Sequence, residues 1–138
     1  MDDNFKELLL KSGNRVTQPR LALYRLLKEQ SSPLSLAQIN KKASAIERTS
    51  IYRTLQLFQD LHIVNVIPHG WKQRYELADP FMPHHHHIIC EWCGGVTEIA
   101  SDKIETLVET ISNEEGFKAR LHHFEIRGTC GACLGGGV

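Results

Sequence analysis

Residues 84–93 read HHHHIICEWC, and a second cysteine pair lies at residues 130–133, which read CGAC. A CxxC turn directs two thiolates towards one point, and two such turns brought together make the tetrahedral sulfur site that zinc prefers. This spacing predicts a structural zinc site with the ligands Cys90, Cys93, Cys130 and Cys133. The alternatives are free thiols, two disulfides, or thiols that release zinc on oxidation.

The four consecutive histidines indicate further metal sites. On a strand, alternate residues face opposite sides, so His84 and His86 would point one way and His85 and His87 the other. Each pair needs additional ligands, and the candidates are Glu76, Glu98, Glu105, His122 and His123. The competing interpretation is a solvated polar loop with adventitious metal affinity.

Composition and charge separate the chain into two halves. The chain has 138 residues and a 41% apolar share, which suits one domain or two small ones and argues against disorder. Residues 1–80 hold 12 Lys and Arg against 8 Asp and Glu, a net +4, and residues 81–138 hold 4 against 8, a net −4. A basic half suits a polyanion and an acidic, ligand-rich half suits cations, although chance is the alternative.

The sequence carries no signal for a membrane or for export. No apolar stretch approaches the roughly 18 residues of a spanning helix. The acidic start of the chain lacks the basic region and apolar run of a signal peptide. We therefore expect a cytoplasmic protein with no membrane partner, and in a reducing cytosol paired cysteines are more often metal ligands than disulfides.

The N-terminal half reads as helices followed by a hairpin. A short apolar stripe covers residues 5–10, and Thr17 is a predicted N-cap for the next helix. The pattern SLAQ at residues 35–38 is a capping box, and Thr49 is predicted to cap a further helix over residues 50–61. Residues 62–67 are rich in β-branched side chains and residues 72–77 alternate, which predicts two strands around a turn at residues 68–70. This order predicts a winged helix-turn-helix domain over residues 1–78.

A stiff linker at residues 79–83, with two prolines, precedes a small α/β domain at residues 84–138. Its predicted elements are strands at residues 86–89, 96–99 and 117–127 and a helix capped by Asp102 and ended by Gly116, whose buried face holds Ile104, Leu107, Val108 and Ile111. A unit of this size usually needs a metal or a partner chain to fold. The predicted fold class is therefore α+β.

Hydroxyls and a guanidinium cluster at the start of the helix around residues 48–54, RTSIYRT. Such groups contact phosphates and base edges when a helix lies in the major groove of DNA. The candidate DNA-binding residues are Arg15, Arg20, Lys41, Lys42, Thr49, Ser50, Tyr52 and Arg53. The alternative is an exposed helix face whose Tyr and Arg are simply solvated.

The chain resembles the ferric uptake regulator (Fur) family of metal-dependent bacterial transcription regulators, with the zinc uptake regulator as one branch. The residues that carry the resemblance are RVTQPR at 15–20, TSIYRTL at 49–55, HHHHIIC at 84–90 with Cys93 and Gly94, and Gly116, Phe117, His122, Glu125, Ile126 and residues 128–130. The resemblance implies a winged helix, a C-terminal dimerisation domain, and a homodimer that reads a near-palindromic double-stranded DNA operator. It implies a repressor of metal-uptake genes and not an enzyme.

The resemblance also implies three ligand sets, matched by position. The four cysteines match the structural zinc site; Glu76, His85, His87 and Glu98 match the regulatory hinge site; His84, His86, Glu105 and His122 match an additional site. Among the DNA-binding candidates, Tyr52 and Arg53 match recognition-helix contacts, and Arg15 matches the basic residue that approaches the minor groove.

The chain departs from the family pattern near the hinge site. Residues 31–33 read SSP where many iron-sensing members have a histidine ligand, and Asn65 stands near the aspartate of zinc-sensing members. Four nitrogen and oxygen donors suit tetrahedral zinc, so zinc is favoured over ferrous iron as the regulatory ion. Iron remains the alternative, with His62 or His69 as a substitute ligand.

Two other functions are alternatives for such a chain. A peroxide sensor of the same family needs a shell that favours iron, and bound iron would oxidise His85 or His87. A zinc hydrolase needs an open zinc position beside a carboxylate base, and the chain contains no HExxH.

Overall fold

The computed structural model describes residues 2–69 and 71–136, and of His69 it describes the backbone alone. The chain divides into two compact units, Met1–Pro83 and His84–Val138. Within the described residues, none of the helices has both the length and the apolar character that crossing a membrane requires.

The first unit combines helices with a three-stranded antiparallel sheet. Its elements are α1 Asp3–Lys11, α2 Gln18–Lys28, β1 Leu34–Ser35, α3 Leu36–Lys42, α4 Arg48–Asp60, β2 Val64–His69 and β3 Lys72–Leu77. The sheet order is β1-β3-β2, and β2 and β3 form the hairpin, called the wing below. The winged helix-turn-helix arrangement predicted from the sequence is confirmed, and the short strand β1 was missed.

Local signals explain where α3 and α4 begin. The backbone N–H of Gln38 donates to Ser35 Oγ at 3.2 Å and that of Ser35 donates to Gln38 Oε1 at 2.9 Å, which confirms the capping box. The predicted cap at Thr49 is wrong. Helix α4 begins at Arg48 with Glu47 at the N-cap position, because Ile51 N already donates to the carbonyl of Glu47 at 3.0 Å.

The core of the first unit is built around α4. Ile51, Leu55 and Phe58 repeat at i, i+4 and i+7 and are buried. Phe5 of α1 meets Phe58 edge-on at 5.4 Å and stacks on Tyr24 of α2 at 4.1 Å between ring centroids. The opposite side of α4 is therefore left facing solvent.

The first strand of the wing lies two residues further along the chain than the predicted 62–67, and the predicted linker is packed. The register of the wing runs from Val64 opposite Leu77 to His69 opposite Lys72, so two residues of the predicted 68–70 turn belong to β2. Gly70, the third, lies outside the described residues. In the predicted linker, Phe81 lies edge-on to Tyr24 at 5.9 Å, so this segment packs on the core of the first unit.

The second unit contains β4 His86–Cys90, β5 Val96–Ile99, α5 Asp102–Glu114, β6 Glu125–Gly128 and α6 Gly131–Gly135. The sheet order is β5-β4-β6, with β5 antiparallel and β6 parallel to β4. Strand β4 is thus central and carries the end of the histidine run and the first cysteine. Helix α6, which contains Cys133 and has Cys130 at its N-cap position, was not predicted.

Three predictions for the second unit are wrong in detail. The third strand begins at Glu125, because β4 offers it only four partners; residues 117–124 lie outside strands. Asp102 is the first residue of α5, and Ser101 occupies the N-cap position. The predicted buried face is open: Leu107 is 53% and Ile111 is 51% exposed, and no residue of α5 is buried.

Candidate metal centres and DNA-binding face

The four cysteines converge at one end of β4. Their sulfurs lie within 4.8 Å of one another, and Cys93 Sγ is 3.8 Å from Cys130 Sγ. Ligands at the 2.3 Å Zn–S distance in a tetrahedron are about 3.8 Å apart, so the group fits zinc. All four lie among the described residues, and none forms a disulfide.

Backbone amides prepare these sulfurs to bind a cation. The N–H groups of Cys93 and Cys130 donate to the Cys90 sulfur and lower the pKa of its thiol to about 6. A hydrogen bond with the neighbouring Cys130 sulfur is the largest cause that raises the pKa of Cys133 to about 12. The negative charge of Cys130 adds to this effect, because adjacent thiolates repel each other. A dication would relieve that repulsion and hold the cysteines as thiolates.

The sequence analysis missed one supporting residue of the cysteine site. The N–H of Gly95 donates to Cys93 Sγ at 3.4 Å, and a Cβ at this position would lie only 3.3 Å from the same sulfur. The available signal was the glycine pair directly after the first CxxC, because a close approach of backbone to a ligand favours glycine.

A second cluster contains three histidines and one carboxylate. Glu105 of α5 lies 2.7 Å from His86 Nε2, 3.1 Å from His122 Nε2 and 3.3 Å from His84 Nε2. The hydrogen bond from His86 is the largest cause of a lowered Glu105 pKa. His86 is buried at 2% exposure, so its polar ring is held within the unit by this carboxylate. Three nitrogens and one carboxylate are an ordinary zinc-type donor set.

The other two histidines of the run form a separate group. His85 Nε2 lies 3.2 Å from His87 Nε2 and 3.9 Å from Glu98 Oε1. Glu98 is opposite His87 in the β4–β5 register. The alternation predicted for the run is therefore present, although β4 begins only at His86.

The remaining predicted ligand positions lie in or near the wing. Glu76 is a residue of β3 and is buried at 4% exposure, which is unusual for a carboxylate. Asn65 is opposite Glu76 in the hairpin register. His62 is exposed and has a positive φ of 56°, and the side chain of His69 lies outside the described residues. The exposed His123 belongs to neither histidine cluster.

The candidate DNA-binding residues divide into a helix face and a loop. Thr49, Tyr52 and Arg53 are exposed on the side of α4 opposite its buried stripe, with Tyr52 at 61%, and Ser50 is half-buried. Lys41 and Lys42 at the end of α3 are exposed.

In the first turn of α2, Arg20 Nη1 donates to the backbone carbonyl of Arg15, which lies in the preceding loop, at 2.6 Å. The guanidinium of Arg20 thus holds the loop that presents the exposed Arg15.

A winged helix with a polar recognition face, in one chain with several histidine and cysteine clusters, defines a DNA-binding protein of the metal-dependent class. The sequence model of the "Ferric uptake regulator family" matches residues 11–127. The ferric uptake regulation protein of Bacillus subtilis is 33% identical over 140 residues, which cover 96% of this chain and 94% of that protein.

Solved structures agree. The Vibrio cholerae ferric uptake regulator has a TM-score of 0.70 and 30% identity and covers 91% of this chain and 98% of its own. The regulator of Pseudomonas aeruginosa with manganese has a TM-score of 0.80 and 25% identity and covers 95% and 99%. The chain belongs to the ferric uptake regulator family. It is a metal-dependent DNA-binding transcription regulator and not an enzyme, with a C-terminal dimerisation domain.

Proposed function

We propose that this protein is a homodimeric repressor of metal-uptake genes, with a structural zinc on the four cysteines and zinc as the regulatory ion. The observation that carries the proposal is the separation of the histidine run into two groups. His84 and His86 meet Glu105, whereas His85 and His87 meet each other beside Glu98. Neighbouring residues at and just before the start of β4 thus supply two distinct donor sets.

The proposed regulatory ligands are Glu76, His85, His87 and Glu98. Glu76 belongs to the DNA-binding unit and the other three belong to the dimerisation domain. An ion bound by all four would restrict the angle between the domains and so the spacing of the two recognition helices. Metal binding and DNA binding must then strengthen each other by the same factor.

The choice of zinc follows from the number and type of donors. Two imidazoles and two carboxylates complete a tetrahedron, whereas ferrous iron and manganese prefer more ligands. Ferrous iron is the second candidate, because the Bacillus subtilis relative is named a ferric uptake regulation protein. In that case a further ligand, His62 or water, would have to complete the shell.

The proposed homodimer would use the open face of α5. Leu107 and Ile111 are about half exposed, and Phe117 at 72% and Leu121 at 71% follow in the same unit. Several large apolar side chains exposed in one small unit are typical of a surface that another chain covers. A second copy would cover it and place two α4 helices on half-sites about one DNA turn apart, or a multiple of it.

Operator binding under anaerobic, metal-buffered conditions tests the proposal. An AT-rich, near-palindromic operator is titrated with protein in zinc, ferrous iron or manganese buffers. Zinc should strengthen binding by a coupling factor of roughly 5- to 150-fold. Activation by iron or manganese alone would assign the iron branch, and equal DNA affinity with and without every metal would reject metal regulation.

A ligand variant and a matched control locate the regulatory ion. His87→Ala should weaken the zinc response by roughly tenfold or more, because it removes a direct ligand. His123→Ala removes an exposed histidine outside both clusters and should leave the response unchanged. If the two variants respond alike, His87 is not a regulatory ligand.

A further inference from the structure

The wing ends in a tryptophan that is completely exposed. Trp71 directly precedes β3, and its relative exposure is 102%. Tryptophan is highly buried on average in folded proteins, because its large ring is costly to hydrate. Among the described residues of the first unit, the exposed large apolar side chains are Leu10, Tyr52 and Trp71. Trp71 is the most exposed of the three, and Tyr52 is a DNA-binding candidate on α4.

The charge around this tryptophan favours an anionic partner. Residues 61–75 contain no Asp or Glu, and Lys72 is exposed directly after the indole. An aromatic ring beside a cation, in a stretch of chain without carboxylates, suits a surface of phosphates, sugars and bases. A single exposed ring is far smaller than the roughly 800 Å² that each partner gives to a standard protein interface.

The wing is also continuous with the proposed DNA-binding helix. It follows α4 directly in the chain, and the N–H of Ile63, just before β2, donates to the carbonyl of Phe58 in the last turns of α4 at 2.7 Å. The hairpin is paired along its length from Val64 opposite Leu77 to His69 opposite Lys72. The end of the wing is thus held on the same unit as Tyr52 and Arg53.

We propose that Trp71 and Lys72 form a second DNA contact outside the segment read by α4. The indole packs into the minor groove flanking each half-site, and the Lys72 ammonium pairs with an adjacent phosphate. An apolar side chain that enters the minor groove binds best where the groove has a suitable width and the base steps unstack easily. This contact would therefore make the protein prefer certain DNA sequences beside each half-site. The inference rests on the proposed DNA-binding function and adds a residue to it.

Two substitutions separate the aromatic from the ionic part of the contact. Trp71→Ala should weaken binding of the metal-loaded protein to its operator by roughly tenfold, the range expected for loss of one aromatic–base contact. Trp71→Phe should retain most of the affinity. Lys72→Gln should reduce the slope of log affinity against log salt by about 1, whereas Trp71→Ala should leave that slope unchanged.

Footprinting identifies where the contact lies. Hydroxyl-radical footprints of the parent should show protected sugars flanking each half-site, and Trp71→Ala should lose these while keeping the protection at the half-sites. Leu10→Ala is the matched control, because Leu10 is 64% exposed in the same unit on α1. Melting temperatures should be alike for all variants, since each changed side chain lies in solvent.

The outcomes are distinguishable. A parent that fails to bind DNA with any metal would overturn both this inference and the proposed function. If the parent binds DNA and Trp71→Ala has the same affinity and footprint as Leu10→Ala, the wing contact alone is overturned. A protein partner would then be the remaining explanation for the exposed Trp71.

Discussion

The two units of this chain bury their apolar residues in different ways. In the first unit, Phe5, Tyr24 and Phe58 meet in one ring cluster and are at most 2% exposed. In the second, α5 has no buried residue, and Leu107 and Ile111 are about half exposed. The first unit therefore closes its own core. We expect the second unit to need a bound metal and a second chain to cover its exposed apolar side chains, because small units rarely bury enough apolar surface alone.

The largest expected effect comes from removing a cysteine ligand. Cys90→Ser should abolish the fold of the second unit, because structural zinc binding supplies about 10–16 kcal/mol in small metal domains. The first unit should keep its helices and its protected amides. Hydrogen exchange resolved by segment measures both units in one experiment.

Chelation of the parent protein provides the parallel control for that variant. Removing zinc should reproduce the loss of protection in residues 84–136 and spare residues 2–69. A Cys90→Ser protein that stays dimeric and protected throughout its second unit would show that the comparison between the units is mistaken.

A smaller effect is expected from a charge on the open face of α5. Leu107→Lys should weaken the homodimer by roughly a hundredfold, since an unpaired buried charge costs about 3 kcal/mol or more. Sedimentation over a dilution series measures the dissociation constant. Glu109→Lys is the control, because Glu109 is exposed and lies about 200° around the helix from Leu107. Equal dissociation constants for the two variants would exclude this face from the dimer.

The smallest effect belongs to the first unit. Ser35→Ala removes the acceptor of the capping box and should cost about 1 kcal/mol in the free energy of unfolding of that unit. Ser32→Ala, in the exposed loop before β1, should cost much less. Denaturant unfolding, followed by helical circular dichroism, measures both. If Ser35→Ala also weakened the homodimer, the effect of the cap would not be confined to the first unit, and the contrast between the two units would fail.

The sequence predicted the helices and the wing because their periods are set by local burial. Ile51, Leu55 and Phe58 repeat every three or four residues and do line the core. The same period in α5 correctly predicted an apolar face. Sequence periodicity does not indicate whether such a face packs within its own chain or against another chain. The predicted strand at residues 117–127 failed for a related reason: alternation extends to Phe117, but hydrogen-bonding partners on β4 begin only at Glu125.

The candidate sites were predicted to different depths. Two CxxC pairs and a histidine run predict ligands through spacing alone, and the structure brings together the cysteines and the two histidine groups. The hydrogen bond from Arg20, in the first turn of α2, to the carbonyl of Arg15 reaches into a loop without sequence periodicity, so no sequence pattern predicted it. The assignment of Thr49 and Asp102 as caps was wrong because a cap is defined by one residue's backbone angles, which composition does not fix.

Strand β4 and the two histidines before it carry donors for all the proposed ions, so the alignment of this strand affects every proposed site. Slipping β4 by one residue against β6 would send each histidine to the opposite side of the sheet and exchange the two donor sets. Cys90 is paired with Gly128 at the far end of β4, and its sulfur accepts a hydrogen bond from the N–H of Cys130. An ion bound by the four cysteines would therefore help to hold β4 in the alignment that keeps the two histidine donor sets apart.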